Sequence, residues 1–438
     1  MIPKSRNRFS EKIMLKKART GQKRRRGVVD TYKIYRESVD GLPQFGPEPD
    51  ANPTELLGQG RAGGKTMLRH VAQAAALAFA LTPSFFLTTP AAARPVVEVA
   101  FVLDTTGSMG PLIEGAKRKI WSIATAIIDC SPDADIRMGL VAYRDIGDVY
   151  VTKKFDLTTD IQGLYGDLLQ LRAQGGGDWP ESVNEALWVA TTKLSWSYGH
   201  NTTRIMFLVG DAPPHMDYPQ DTKYPEVMRL ARQKGITVNA VQAGNARDTE
   251  RVWREIAQRG NGEYIPIPQD GGQVVIIETP YDRDIIELQG RINSTVIPYG
   301  PRQQRERVEQ RRGQYGQQSA PVASDMAGYM SKQRAGGANT DAITGGGDLL
   351  ADVKAGRNAL SSVKEEELPD DMRRMSPSER QSHVDRQATE RTTLNGRMTD
   401  LVKRRDAYVT DQRKKAPARA ADSFDRAVEK TLQTQIGK

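Results

Sequence analysis

Cysteine is nearly absent. The single Cys130 rules out an internal disulfide and a cysteine-rich zinc site, and its place near the end of a helical pattern reads as a buried structural thiol. Histidine is scarce too. The four histidines (His70, His200, His215 and His383) do not cluster, no His-Glu-x-x-His pair occurs, and no Gly-x-Ser-x-Gly elbow is present. Those absences remove the commonest zinc-hydrolase and serine-hydrolase arrangements. Aromatic residues make up 6% and hydrophobic residues 38%, too few for a uniform globule of 438 residues and consistent with one good core beside long polar segments.

The net charge of +9 is unevenly placed. Residues 1–93 hold 16 Lys/Arg against 7 Asp/Glu, residues 94–300 hold 21 against 27, and residues 301–438 hold 26 against 20. The excess sits in the first segment, and the middle of the chain is acidic, which argues against nucleic acid as a partner. Residues 1–66 are basic and aperiodic, with Lys23-Arg24-Arg25-Arg26, and read as a disordered extension. Gly60-Arg61-Ala62-Gly63-Gly64-Lys65-Thr66 resembles a phosphate loop only superficially: its first glycine would fall on Gln59, and no strand precedes it.

Met67-Leu68-Arg69-His70, an apolar stretch from Val71 to Thr89 and a small-residue end at Ala91-Ala92-Ala93 make 67–93 a signal peptide or membrane anchor. Translation from Met67 would leave residues 1–66 unmade. On this reading the chain is periplasmic or secreted, and it meets a membrane only through the leader if that is not cleaved.

Residues 94–300 alternate strand and helix patterns. Strands are expected at 96–103, 136–143, 204–209, 237–243 and 263–266, with a shorter edge strand at 150–157. Helices are expected at 112–130, 161–172, 182–194, 225–234, 249–258 and within 276–297. That order predicts an α/β fold, a doubly wound and mainly parallel sheet with helices on both faces. A polar, disordered linker is expected over 301–364 and a charged helical tail over 365–438. In the tail, Ser376-Pro377-Ser378-Glu379 has the capping-box form. A long helix to about Arg413 carries a thin apolar stripe, suited to lying on its own domain or to oligomer formation.

The chemistry gathers at strand ends. Val96 to Leu103 is a near-continuous apolar run, the mark of a strand buried on both faces. It stops at Asp104-Thr105-Thr106-Gly107-Ser108, which sets a carboxylate and two hydroxyls at the carboxyl edge of the sheet. Phe207-Leu208-Val209-Gly210-Asp211 repeats the pattern, and Gly175-Gly176-Gly177-Asp178-Trp179-Pro180-Glu181 is a glycine-rich acidic loop before a helix. Three acidic loops on one rim repel one another unless a cation lies among them. Oxygen donors suit a hard divalent ion, Mg²⁺ first, with Mn²⁺ or Ca²⁺ as alternatives. The plain alternative is a loop that merely caps the following helix.

Asp104-x-Thr106-x-Ser108 resembles the signature of von Willebrand factor type A domains, in which it opens a metal-ion-dependent adhesion site, and the strand–helix order of 95–270 resembles their fold. The resemblance implies that Asp104, Thr106, Ser108 and Asp211 are metal ligands. The family's middle ligand is typically a threonine. Asp178 stands there in this chain, within a Gly-Gly-Gly-Asp-x-Pro-Glu form similar to a variant in bacterial and kinase-associated members. The stretch from Glu365 to Tyr408 is similar to tails of bacterial exported members. The implied function is protein recognition, with a partner's Asp or Glu completing the cation. Trp179, Glu181 and His215 are candidates for partner contact; packing, helix capping and a surface-loop position are their plain alternatives. Rival readings are an envelope structural or stress-related protein acting through its basic tail, and a hydrolase. An enzyme is not expected.

Overall fold

A computed structural model of the chain describes residues 94–272, 276–336, 345–415 and 424–436. The expected extension over 1–66 and leader over 67–93 lie outside the described residues. Six strands form one sheet: β1 (Val96–Asp104), β2 (Asp135–Tyr143), β3 (Thr152–Thr158), β4 (Thr202–Gly210), β5 (Ile236–Ala243) and β6 (Asn261–Ile267). Their order is β3-β2-β1-β4-β5-β6, parallel throughout except for β3, which runs antiparallel at the edge. All six expected strands are present, each within two residues of its predicted ends.

Side chains alternate across this sheet as the period of two requires. Val97, Val99 and Leu103 enter one core with Phe207 and Val209. Ala100, Val102, Met206 and Leu208 enter the other. Both faces are covered, so the strands read as apolar runs and not as alternating ones. Glu98 is the exception on β1; fully buried, it takes Arg137 as ion-pair partner and accepts from the Ser197 backbone N–H at 2.9 Å.

Helices α1 (Gly110–Cys130) and α2 (Ile161–Gln170) cover the first face. Helices α3 (Val183–Thr192), α4 (Tyr224–Gln233) and α5 (Arg247–Arg259) cover the second. Cys130, at the end of α1, is half-buried and not fully so, and burial raises its thiol pKa. Helix α6 (Asp282–Ser294) follows.

Much of the stretch read as a polar linker is instead helical among its described residues. It contains α7 (Arg302–Tyr315), α8 (Ala320–Ala335) and α9 (Leu349–Lys354). Helix α7 buries only Val308 and Tyr315 in a Gln/Arg-rich background, and α8 buries small and polar residues beside its larger ones, so neither carries a plain apolar period. Val322, Met326, Tyr329 and Met330 are 4% exposed or less and join the first core, where Tyr329 packs against Trp121 of α1. The core therefore does not end at residue 300.

A short α10 (Asp370–Arg373) precedes α11 (Pro377–Lys415), whose start carries the expected capping box: Ser376 N–H donates to Glu379 Oε2 at 2.8 Å. Helix α11 lies on its own domain, with Leu394, Met398 and Val402 buried beside residues of α6. Its apolar stripe is thin, and two buried arginines reinforce it. Arg391 pairs with Asp348 and donates to Thr295 Oγ1 at 2.7 Å; Arg405 bridges Asp282 at 2.9 Å and Asp325 at 2.6 Å. Helix α12 (Phe424–Ile436) seats Phe424, Val428 and Leu432 in the first core, and Asp425 pairs with Lys119 of α1 at 3.1 Å. No helix among the described residues is long and apolar enough to cross a membrane.

If α12 is part of the core, Leu432→Ala should lower unfolding free energy by about 2–5 kcal/mol, the range for a fully buried leucine. Chemical denaturation of the full chain measures it, and a change near zero would mean that α12 does not dock on α1.

Candidate functional site

Parallel pairing of β1 with β4 brings their carboxyl ends level: Leu103 faces Val209, and Asp104 and Asp211 emerge next to one another. At Gly210 a Cβ would stand 3.3 Å from Asp104 Oδ2, so the backbone there runs directly past the carboxylate. Asp104 is fully buried. Its Oδ1 accepts from Thr106 N–H at 2.8 Å and from Thr106 Oγ1 at 2.7 Å, and Thr106 Oγ1 lies 3.4 Å from Ser108 Oγ. None of these side chains caps the following helix: neither N-cap position near α1 has a side-chain hydrogen bond. The capping alternative therefore does not account for the motif.

Asp211 is buried. Its Oδ2 accepts from Gln269 Nε2 at 2.6 Å, and its backbone carbonyl accepts from Thr249 Oγ1 at 2.9 Å. Neither Gln269 nor Thr249 was singled out from the sequence, because both lie far along the chain from Asp211 and meet it only through the β4–β5–β6 crossovers.

The glycine-rich loop folds onto this edge. Gly175 and Gly176 have φ of +83° and +80°, a conformation that side chains disfavour, and a Cβ on Gly175 would stand 2.2 Å from Asp148 Oδ1. Gly107 N–H donates to Gly175 O at 3.2 Å, tying the loop to the 104–108 turn. Glu181 N–H donates to Pro213 O at 2.9 Å and His215 N–H to Glu181 O at 3.1 Å, which ties it to the loop after β4. This double fastening turns Glu181 inward. A Cβ on Gly176 would lie 3.1 Å from Glu181 Oε1 and 3.3 Å from Thr106 Cβ, so the Glu181 carboxylate sits beside Thr106. Glu181 is 4% exposed and neither caps α3 with its carboxylate nor faces outward for a partner.

Asp178 does not join Asp104 in this way. Its side chain is 61% exposed, and its Oδ2 lies 3.5 Å from His215 Nε2. Nor is His215 a surface residue: it is 5% exposed and stacked on Tyr218, with ring centroids 3.9 Å apart. Asp145, buried just past the end of β2, is the third member of that group. The sequence carries a weaker signal for it, since the apolar run Val141-Ala142-Tyr143 is followed by Arg144 and then the acid. Trp179 is about half exposed and donates from Nε1 to Asp248 at 2.6 Å.

Burial and mutual charge dominate the electrostatics. Desolvation, with Asp211's charge adding to it, pushes Asp104 up to about 7 against the pull of the Thr106 hydrogen bonds. Burial, with the charges of Asp104, Asp145, Asp148 and Asp211, pushes Glu181 up to about 9. The nearby buried guanidinium of Arg144 donates to the carbonyls of Thr105 and Arg172, at 3.2 and 2.7 Å. Asp104 Oδ2 and Glu181 Oε2 are buried without any hydrogen-bond partner. Carboxylate and hydroxyl oxygens around two orphaned acceptors are the donor set of a hard divalent cation, and these residues fit one.

Residues 98–279 match the sequence model of the von Willebrand factor A domain. Over 125 residues the chain is 30% identical to the alpha-protein kinase vwkA of Dictyostelium discoideum, covering 28% of this chain and 19% of that protein. Over 210 residues it is 28% identical to human von Willebrand factor A domain-containing protein 7, covering 46% of this chain and 21% of that protein. The chain thus spans about a fifth of the length of these curated relatives. A crystal structure of the conserved hypothetical protein BatB from Bacteroides thetaiotaomicron aligns with a TM-score of 0.30 and 18% identity, over 40% of this chain and 90% of that one.

Both raised carboxyl groups favour the metal-free fold while protonated, and that contribution is lost as pH rises through their folded values of about 7 and about 9. The melting temperature of the metal-free full chain should therefore fall more steeply between pH 5 and pH 9 than that of Glu181→Gln. Equal slopes would show that Glu181 is not held among these acids.

Proposed function

We propose that the von Willebrand factor A domain formed by residues 98–279 is a protein-interaction module whose rim binds a divalent cation through Asp104, Thr106, Ser108, Glu181 and Asp211. Domains of this family are generally interaction modules and often bind such an ion. The observation that carries the reading is the pair of buried, unpartnered acceptors, Asp104 Oδ2 and Glu181 Oε2, set among two hydroxyls and a second aspartate. A cation bound there, with Mg²⁺ the best match to an all-oxygen set, supplies a coordination position to an acidic side chain from the partner.

The chain's own residues do the rest. Thr106 fixes Asp104 through two hydrogen bonds, Gln269 fixes Asp211, and the glycine loop holds Glu181 over the site. Around it, Ile146, Val149, Trp179 and Met216 are large apolar residues left 40–88% exposed, all on the loops that carry Asp145, Asp178 and His215. An apolar collar around a charged centre suits a protein partner better than a small polar ligand. The surface residue offered to that partner is Trp179, while Glu181 and His215 are buried.

Calorimetric titration of the full chain with Mg²⁺, Mn²⁺ and Ca²⁺ tests the cation. At a free concentration of 100 Kd the ion should stabilise the fold by about 2.7 kcal/mol, and Asp104→Ala should remove both the heat and the stabilisation. No heat with any of the three ions would end the proposal. Cross-linking of captured partners tests the rest: chelator-sensitive links near Trp179 support the rim, and chelator-resistant links confined to α11 would favour recognition through the basic tail.

A further inference from the structure

The group around His215 is separate from the carboxylates around Asp104 and has a different chemistry. Asp145 Oδ2 and Asp178 Oδ2 lie 3.7 and 3.5 Å from His215 Nε2, and one ligand atom from each of the three residues falls within 4.8 Å of the others. His215 is 95% buried, and its Nε2 has no hydrogen-bond partner. Its other ring nitrogen, Nδ1, is 2.8 Å from Asp217 Oδ1. An ionised carboxylate only accepts, so His215 Nδ1–H donates to Asp217, which leaves the lone pair on Nε2, on the side of Asp145 and Asp178. Tyr218 holds the arrangement from two sides, stacking on the imidazole and donating its hydroxyl to Asp145 Oδ2 at 2.8 Å. Ser182 Oγ donates to the other oxygen, Oδ1, at 2.9 Å.

Two explanations compete, and the distances separate them. An imidazolium hydrogen-bonded to carboxylates brings nitrogen and oxygen to about 2.7–2.9 Å. The observed 3.5 and 3.7 Å are too long for that. Ligands held tetrahedrally at about 2.1 Å from one ion stand roughly 3.4 Å apart, close to what is seen. A metal-binding histidine also characteristically donates its second N–H to a carboxylate, the place Asp217 occupies.

We propose that His215, Asp145 and Asp178 form a second metal site, selective for a borderline transition ion of the Zn²⁺ class, with Asp217 and Tyr218 as its outer support. One imidazole and two carboxylates suit such an ion better than Mg²⁺ or Ca²⁺, which prefer oxygen alone. Three protein ligands leave a fourth position, and the exposure of Asp178 opens it to solvent. The two sites are neighbours: Asp145 and Asp104 both act on the charge of Glu181, so the rim would hold two ions of different hardness.

Co²⁺ serves as a visible stand-in for Zn²⁺ on the full chain. Wild type and Asp104→Ala should both show intense tetrahedral d–d bands, removed by one equivalent of Zn²⁺. His215→Ala should lose them, and Asp178→Asn should weaken Co²⁺ affinity at least tenfold. Asp178 is exposed, so its variant should keep the wild-type melting temperature and tests the site even if His215→Ala does not fold. Absent bands in wild type would mean an ion pair and no metal site. Bands that vanish in Asp104→Ala but persist in Asp178→Asn would place the ion at the first site and overturn the proposal.

Discussion

Carboxylates forced together without water govern the rim of this protein. The β1–β4 pairing brings Asp104 and Asp211 out at the same edge of the sheet, and the glycine loop holds Glu181 and Thr106 on either side of Gly176. In water such a group would repel weakly; buried, each charge raises the cost of the next. Hydrogen bonds from Thr106 and Gln269 relieve part of this, while Arg144 is directed to backbone carbonyls. An arrangement so unfavourable persists because the sheet and its loops over-determine it, and the raised pKa values of Asp104 and Glu181 show protons held there in relief of the charge.

The C-terminal half of the chain serves that constraint indirectly. A rim under electrostatic strain needs a rigid platform, and α1, which starts directly after the Asp104 loop, is that platform's central helix. Helices α8 and α12 bury its outer face with Tyr329, Met330, Val428 and Leu432. Helix α11, in turn, is locked by Arg391, paired with buried Asp348, and by Arg405, paired with buried Asp282 and half-buried Asp325. Removing one member of such a pair leaves an uncompensated charge, so these contacts hold the tail in one place even where apolar area is small. What reads as a basic tail is in good part the second layer of the domain.

Much of the sheet was legible because strands buried on both faces leave continuous apolar runs, and glycines mark where helices end. Asp104, Thr106, Ser108 and Asp211 were legible for a related reason: a strand that must stop at the sheet edge changes abruptly from apolar to acidic. The 302–335 helices were not: the first buries only Val308 and Tyr315 among its charges, and many of the buried residues of the second are small or polar, such as Ala323, Ser324, Gly328 and Ser331, so neither shows a clear apolar stripe. The division of labour between Asp178 and Glu181, three residues apart in one loop, was equally hidden. Backbone bonds to Pro213 and Gly107 decide which of them turns inward.

By itself, then, the order of residues determined the alternation of strands and helices, and with it the edge at which the acidic loops emerge, since both follow from local periodicity. Only the tertiary structure decided which acids face which. That depends on the loops' fastenings to one another, on the meeting of His215 with Asp145 and Asp178, and on partners as distant as Gln269. Such contacts join residues far apart along the chain, and no local pattern encodes them.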